Sequence, residues 1–371
     1  MHSVTQDTIK LLLQKENLQP GEFSIPHPPK SIRFFRIFFL LSLSCLLFCP
    51  FLPSPISSII IILFCVATIG DYARYRNFER QKYRQDLVNL NALLEKESLA
   101  DFYKTNAEEA PTKQITNHAL YPDIEVQKTF IKQQIETRGI TEKKILDAGS
   151  GIGTISSLFA SNGNFVTATE LSLNDLQQCQ SGKNIQRTVS DVGQLPFKSK
   201  KFDLVNFTDI IEHIEDPTKT LHELNRVLKN NGRLFLSTPN RHSPTLDNTH
   251  NPINPLFILE RLLSLISDDI LPPRRLMQEF HEANGKTVYV YHTAFSKTEL
   301  ITLLKDTGFT VRYTTSYTFL NRGFSFLFSK FPKSMRESGI RFVIATELLL
   351  SRLPIARQLG ANIFLIAQKT K

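Results

Sequence analysis

The chain has 371 residues, 41% of them hydrophobic and 21% charged, which excludes a disordered or fibrous protein. That length suits two folded units, or one domain with large additions. Four cysteines, three of them in one apolar stretch (Cys45, Cys49, Cys65), exclude a disulfide-built scaffold and a CxxC metal set. A net charge of +9, from 44 Lys and Arg against 35 Asp and Glu, suits nucleic acid or an anionic membrane surface.

Residues 1–33 read as a cytoplasmic lead-in, with a short amphipathic helix at Ile9–Leu13 and an extended Pro20–Pro29. Ile37 through Gly70 then runs for 34 residues without an Asp, Glu, Lys, Arg or His. A bilayer needs such a run and a soluble core does not. Pro50, Pro53 and Pro55 divide it into Phe34–Cys49 and Ile56–Gly70, each shorter than the ~20 residues of a standard span. Ile37–Cys49 holds nine Ile, Leu or Phe residues, each worth roughly −0.3 to −0.6 kcal/mol near the bilayer centre. Both flanks are basic: Lys30, Arg33 and Arg36 before, Arg74, Arg76, Arg80, Lys82 and Arg84 after. The positive-inside rule places both ends in the cytoplasm. The expectation is an integral membrane protein with a transmembrane helical hairpin over 34–70. A single span with a proline-broken lead-in is the alternative. A cleaved signal peptide fits less well, because some thirty mostly polar residues precede the run and no small-x-small site follows it.

Residues 71–123 are polar and helix-prone, with Leu87, Leu90, Leu94 and Leu99 at roughly helical spacing. They read as a stalk whose charged positions form a solvated face. From Ile124 the pattern alternates between helix and strand. Strands are expected at Lys144–Ala148, Asn164–Thr169, Thr188–Ser190, Phe202–Phe207, Gly232–Ser237, Phe309–Thr315 and Asn362–Ala367, with helices such as Thr218–Leu228 and Ser296–Thr307 between them. That alternation implies a mostly parallel α/β sheet covered on both faces. The segment 240–291 interrupts the rhythm, and its Pro255–Ile266 reads as an apolar helix with Glu260 and Arg261 as its only charges.

The most informative stretch is Lys143–Ala160, KKILDAGSGIGTISSLFA. It joins strand, glycine turn and helix, which puts an anion-ready helix N-terminus beside the end of a buried strand. Gly149, Gly151 and Gly153 permit the sharp turn and a close ligand approach. Asp147 precedes the turn, and a fixed carboxylate is poor company for a pyrophosphate. A dinucleotide fingerprint would need glycine at 154 or 156, where Thr154 and Ser156 stand. Glu170 ends the second strand, where a carboxylate can accept from both ribose hydroxyls. Asp191 follows the third, placed for an exocyclic amine. Together these describe an adenosine ligand lacking phosphates.

These residues resemble the class I S-adenosylmethionine-dependent methyltransferases in four pieces: LDAGSGIG (146–153), ATELS (168–172), SDVGQLPF (190–197) and KFDLVNFTDIIEHIEDP (201–217). GRLFLSTPNR (232–241) and YHTAFSKTELITLLKDTGF (291–309) extend the likeness over residues 124–371. The resemblance implies a Rossmann-like seven-stranded sheet with its last strand antiparallel, and S-adenosyl-L-methionine as cofactor. It also implies that Gly149, Ser150, Gly151 and Gly153 line the methionine end and Asp147 supports its amino group. Glu170 and Leu171 would hold the ribose, Asp191 and Val192 the adenine, and Thr208 would close over the methionine.

Methyl transfer to oxygen needs a base or a metal to take the acceptor's proton. Asp209-Ile-Ile-Glu212-His213 follows the fourth strand, at the mouth of the site. Its wording is closest to the quinone-biosynthesis O-methyltransferases, where acid-x-x-Glu-His is associated with a divalent cation. That resemblance implies Asp209, Glu212 and His213 as metal ligands, with Asp standing where Glu is usual. His213 is the candidate proton acceptor. His292 matches a position that helps anchor the following helix in relatives. The membrane run implies a lipophilic or lipid-linked acceptor, held near the enzyme by a shared bilayer. No nucleic-acid partner is expected, since Asn206-Phe-Thr-Asp209 replaces the Asn/Asp-Pro-Pro-Tyr/Phe of base-modifying relatives. Alternatives are a catalytically silent membrane scaffold and a nucleic-acid methyltransferase.

Overall fold

The computed structural model describes residues 6–19, 41, 43–44, 54–95, 122–179, 182–243, 255–264, 266, 277–281, 287–319, 333–350, 353–354 and 356–370. The first half of the expected hairpin, the proline link as far as Pro53 and the end of the stalk therefore lie outside the described residues.

Two helices open the chain, α1 at Gln6–Lys15 and α2 at Ser54–Leu94. Instead of an apolar helix followed by a separate stalk, α2 is one uninterrupted helix. Its 41 residues reach about 60 Å. Its first part is apolar and outward-facing, with Ile59, Ile62 and Ile69 each 57–60% exposed. Among the described residues it is the one helix long and apolar enough to cross a membrane. Its second part is not the solvated face that the charges suggest. Glu79, Lys82, Asp86 and Asn89 are buried, and Leu87, Leu90 and Leu93 pack against Ile9 and Leu13 of α1. Arg84 donates to the Glu16 carbonyl at 2.9 Å.

The remaining elements are α3 (Pro122–Thr137), β1 (Lys144–Ala148), α4 (Thr154–Ser161), β2 (Phe165–Glu170), α5 (Leu173–Gln178), β3 (Ile185–Val189), β4 (Phe202–Thr208) and a 3-10 turn at Ile211–His213. They continue through α6 (Pro217–Val227), β5 (Leu228–Pro239), α7 (Pro255–Leu263), β6 (Met277–His281), β7 (Thr287–Tyr291) and α8 (Lys297–Asp306). The chain ends with β8 (Phe309–Tyr317), α9 (Lys333–Leu350), α10 (Ala356–Leu359) and β9 (Asn362–Lys369).

Seven strands form one sheet in the order β3-β2-β1-β4-β5-β9-β8. The first five are parallel, and β9 runs antiparallel to both β5 and β8. Residue alternation explains why both faces are covered. In β5, Leu234 and Leu236 enter one core while Phe235 enters the other, and β9 alternates Ile363, Phe364, Leu365 and Ile366 the same way. α6 and α8 cover the first core with Leu221, Leu224, Leu300 and Leu304. α3 and α4 cover the second with Val126, Phe130 and Phe159. Helix starts are fixed locally: Asp216 caps α6 ahead of Pro217, and Ser296 with Glu299 forms a capping box on α8. The 240–291 insertion carries α7 and the β6-β7 hairpin. Glu260 and Arg261 of α7 are buried against α2, where Arg76 meets Glu260 at 2.9 Å. Strand order reverses between β1 and β4, so the crevice for a ligand lies beyond their carboxyl ends.

Candidate active site

The turn after β1 is built by glycine geometry. Gly149, Gly151 and Gly153 all have left-handed φ, at 75°, 52° and 79°. The Gly149 and Ser150 N–H groups both donate to the Thr169 carbonyl, at 2.9 and 2.8 Å, which ties the turn to β2. A Cβ on Gly149 would lie 2.5 Å from Ile210 Cδ1, and one on Gly153 would lie 2.1 Å from Cys179 Sγ. Gly151 differs: a Cβ there would meet nothing within 4 Å. Two glycines thus serve packing, and the third leaves bare backbone facing open space.

Acidic residues surround that space. Asp147 is buried, and its carboxylate accepts from Ser156 Oγ at 2.6 Å and Asn206 Nδ2 at 2.8 Å. Burial pushes its pKa up, against those two bonds. Glu170 accepts from the N–H groups of Gly151 (2.8 Å), Leu171 (2.7 Å) and Ser172 (3.3 Å). Its pKa is also raised, burial outweighing the three backbone donors. A carboxylate offers about four acceptor sites, so Glu170 keeps one for a ligand hydroxyl. Asp191 is exposed and holds its own turn by accepting from Gly193 N–H at 2.7 Å, with Val192 buried behind it. Three buried polar atoms by these elements, Ser150 Oγ, Ser190 Oγ and Asn206 Oδ1, have no hydrogen-bond partner. Orphaned polar atoms beside an open glycine fit a polar ligand whose groups complete them.

Beyond β4 the chain turns at Asp209, a non-glycine residue with φ 57°. Its carboxylate accepts from Gln127 Nε2 and Ser237 Oγ, both at 2.6 Å. It therefore points at α3 and β5, and the metal-capable trio brought together here is Glu212, His213 and His292, with ligand atoms within 4.8 Å of one another. The sequence pattern implies Asp209 in that role and leaves His292 to helix anchoring. The structure instead seats His292 against the His213 ring, centroids 5.2 Å apart. His213 Nδ1 lies 2.8 Å from the Tyr291 carbonyl oxygen, which only accepts, so the proton sits on Nδ1 and Nε2 keeps its lone pair. Burial lowers the His213 pKa, keeping the imidazole neutral. Glu212 is buried and accepts from Thr238 Oγ1 at 2.9 Å. Its pKa is pushed well up by burial and by the charge of Asp209. A carboxyl and two imidazoles fit a divalent cation as donors, and the carbonyl behind His213 supplies the usual outer support.

Ionising Glu212 is harder in the fold than in the unfolded chain. Its stabilising contribution is complete below the ordinary value of 4.5 and declines as pH rises toward the folded value. Glu212→Gln abolishes that decline. Its melting temperature relative to the parent should climb steadily from pH 5 to pH 8 in metal-free buffer. Parallel melting curves at all pH values would refute the assignment.

Sequence reasoning misses Gln127, Ser237 and Thr238, which hold the two carboxyl groups. It also misses the orienting role of Tyr291. None carries a local signal, because each partner lies at least 26 residues away.

A sheet in this order with its last strand reversed, a glycine turn at the switch point and acids closing β2 and following β3 define a class I S-adenosylmethionine-dependent methyltransferase domain. Residues 146–236 match the family model described as a methyltransferase domain. Over 122 residues the chain is 33% identical to the ubiquinone biosynthesis O-methyltransferase of Histophilus somni, covering 30% of this chain and 50% of that protein. The enzyme of the same name from Coxiella burnetii is 32% identical over 122 residues, covering 32% of this chain and 51% of the relative. The chain thus spans about half the length of the curated relatives it matches. The crystal structure of a SAM-dependent methyltransferase from Methanosarcina mazei aligns with a TM-score of 0.42 at 20% identity, covering 64% of this chain and 97% of that one.

Proposed function

We propose that the protein is an active, membrane-anchored S-adenosylmethionine-dependent methyltransferase that methylates an oxygen on a lipophilic or lipid-linked small molecule. The observation that carries the activity is the Gly151–Glu170 contact beside open space: a bare backbone and an acid fixed where a ribose and methionine would lie. When bound, S-adenosylmethionine supplies a methyl group on an electrophilic sulfonium. Gly151 and Ser150 would line its methionine, with Asp147 and Thr208 behind. Glu170 would take the ribose, and Asp191 with Val192 the adenine. His213, neutral and with Nε2 unprotonated, accepts the proton of the acceptor hydroxyl. In the second form of this reading a divalent cation on Glu212, His213 and His292 lowers that hydroxyl's pKa instead.

The anchor rests on the exposed apolar part of α2. α1 precedes the apolar run and α2 from Tyr83 to Leu94 follows it, yet the two pack together. Both ends of the run then lie on one side of the bilayer, beside the catalytic domain, which supports a hairpin with that domain in the cytoplasm. The excess of basic residues flanking the run suits anionic headgroups rather than nucleic acid. The O-methyltransferase relatives named for ubiquinone biosynthesis favour oxygen as acceptor.

The deciding experiment incubates the full chain in lipid nanodiscs with tritiated S-adenosylmethionine and a total membrane lipid extract. Label in the organic phase, lost with His213→Ala, is the expected result. Cofactor binding without label in any lipid fraction would reduce the reading to a silent scaffold.

A further inference from the structure

The end of β7 serves three members of the corner at once. The Tyr291 carbonyl accepts the Nδ1–H of His213 at 2.8 Å, His292 follows with its ring against His213, and the Thr293 N–H donates to the Glu212 carbonyl at 3.0 Å. What holds this strand end is the Tyr291 side chain. It is 2% exposed and lies in neither core of the sheet. It joins Ile9 and Leu13 of α1 and Leu87, Leu90 and Leu93 of α2 in a separate apolar cluster. All five partners lie in the first 94 residues, outside the stretch that matches the methyltransferase family.

The geometry points to Tyr291 as a positioning residue through which α1 and α2 hold His213. Its ring is gripped by the N-terminal helices, its carbonyl sets the tautomer and orientation of the imidazole, and its neighbour His292 completes the corner. The N-terminal helices are then a working part of the reaction site as well as a tether. This rests on the reading that His213 faces the acceptor. An imidazole free in water carries its proton mainly on Nε2, so the Nδ1–H form reports directly on the Tyr291 carbonyl being in place. The carbonyl keeps its place because packed clusters resist continuous deformation.

The test uses the full chain in lipid nanodiscs, labelled with ¹⁵N-histidine, with the His213 signals assigned through His213→Gln. The parent should show a slowly exchanging Nδ1–H and an unprotonated Nε2, and Tyr291→Phe should match it. Tyr291→Ala and the pair Ile9→Ala/Leu13→Ala should both lose the slow Nδ1–H and average between tautomers, with S-adenosylhomocysteine affinity unchanged. An unaltered His213 signal in both would overturn the proposal. So would loss of S-adenosylhomocysteine binding together with the signal, because the cluster would then serve the fold at large. Failure of the parent to bind S-adenosylhomocysteine would sink the methyltransferase reading alone, since the tautomer signals are read without cofactor.

Discussion

Glu170→Ala should weaken S-adenosylhomocysteine binding by about two orders of magnitude in isothermal titration, with little change in far-UV circular dichroism. Two losses combine. A ribose hydroxyl loses a charged acceptor, and hydrogen bonds to charged groups contribute roughly 1.5–3 kcal/mol. The turn also loses its brace, because the Gly151, Leu171 and Ser172 N–H groups all converge on this carboxylate. A further ~1 kcal/mol of preorganisation brings the total near 3 kcal/mol, or about a hundredfold in affinity. Glu170→Gln separates charge from shape. An amide has a single acceptor oxygen, so its NH2 group must face either Gly151 N–H or the Leu171 and Ser172 pair. It should therefore bind nearly as poorly as the alanine variant. Parent-like affinity for Glu170→Gln would mean that the acid only fills space.

The glycine turn is legible in the amino-acid sequence because its signals are local. Left-handed φ, a buried strand before it and a helix after it are all written within a dozen residues. The apolar pattern predicts a strand at Lys144–Ala148, and β1 has those bounds. The seven expected strands all appear, most of them extended by a residue or more at one end, where backbone pairing continues past the apolar pattern. The stalk misleads for a physical reason. Glu79, Lys82, Asp86 and Asn89 carry the composition of a wet helix face, and only tertiary contact shows them buried. Arg76 reaches across 184 positions to Glu260, which reads in sequence as a stray charge on an apolar helix. The corner around His213 misleads in the same way. Acid-x-x-Glu-His invites the nearest acid as partner, but the left-handed turn at Asp209 sends that carboxylate toward Ser237 and leaves the place to His292.

Gly153→Ala should remove most of the domain's stability, about 3–5 kcal/mol in denaturant titration, against a total of roughly 5–15 kcal/mol for an ordinary domain. The first part is conformational: at φ 79° an L-residue sits in the left-handed region, at a cost of about 1–2 kcal/mol. The second part is steric. The new methyl would stand 2.1 Å from Cys179 Sγ, 2.8 Å from its Cβ and 3.1 Å from its Cα. Cys179 is itself buried beside Ala168 and Leu176 at the edge of the sheet, so it has little room to withdraw, and overpacking of this kind costs about 1–3 kcal/mol. The two parts can be told apart by a second substitution. Cys179→Gly beside Gly153→Ala removes the sulfur and the Cβ contact but leaves the backbone contact and the φ penalty. The double variant should recover about 1–3 kcal/mol of the loss, a coupling well above the ~0.5 kcal/mol expected of independent sites. The same comparison bears on function, since Gly153 begins the helix whose first turn faces the ligand space. If the double variant regains stability but still binds S-adenosylhomocysteine weakly, the left-handed turn itself shapes the cofactor site. If binding returns with stability, Gly153 acts on the cofactor only through the packing of α4 on Cys179.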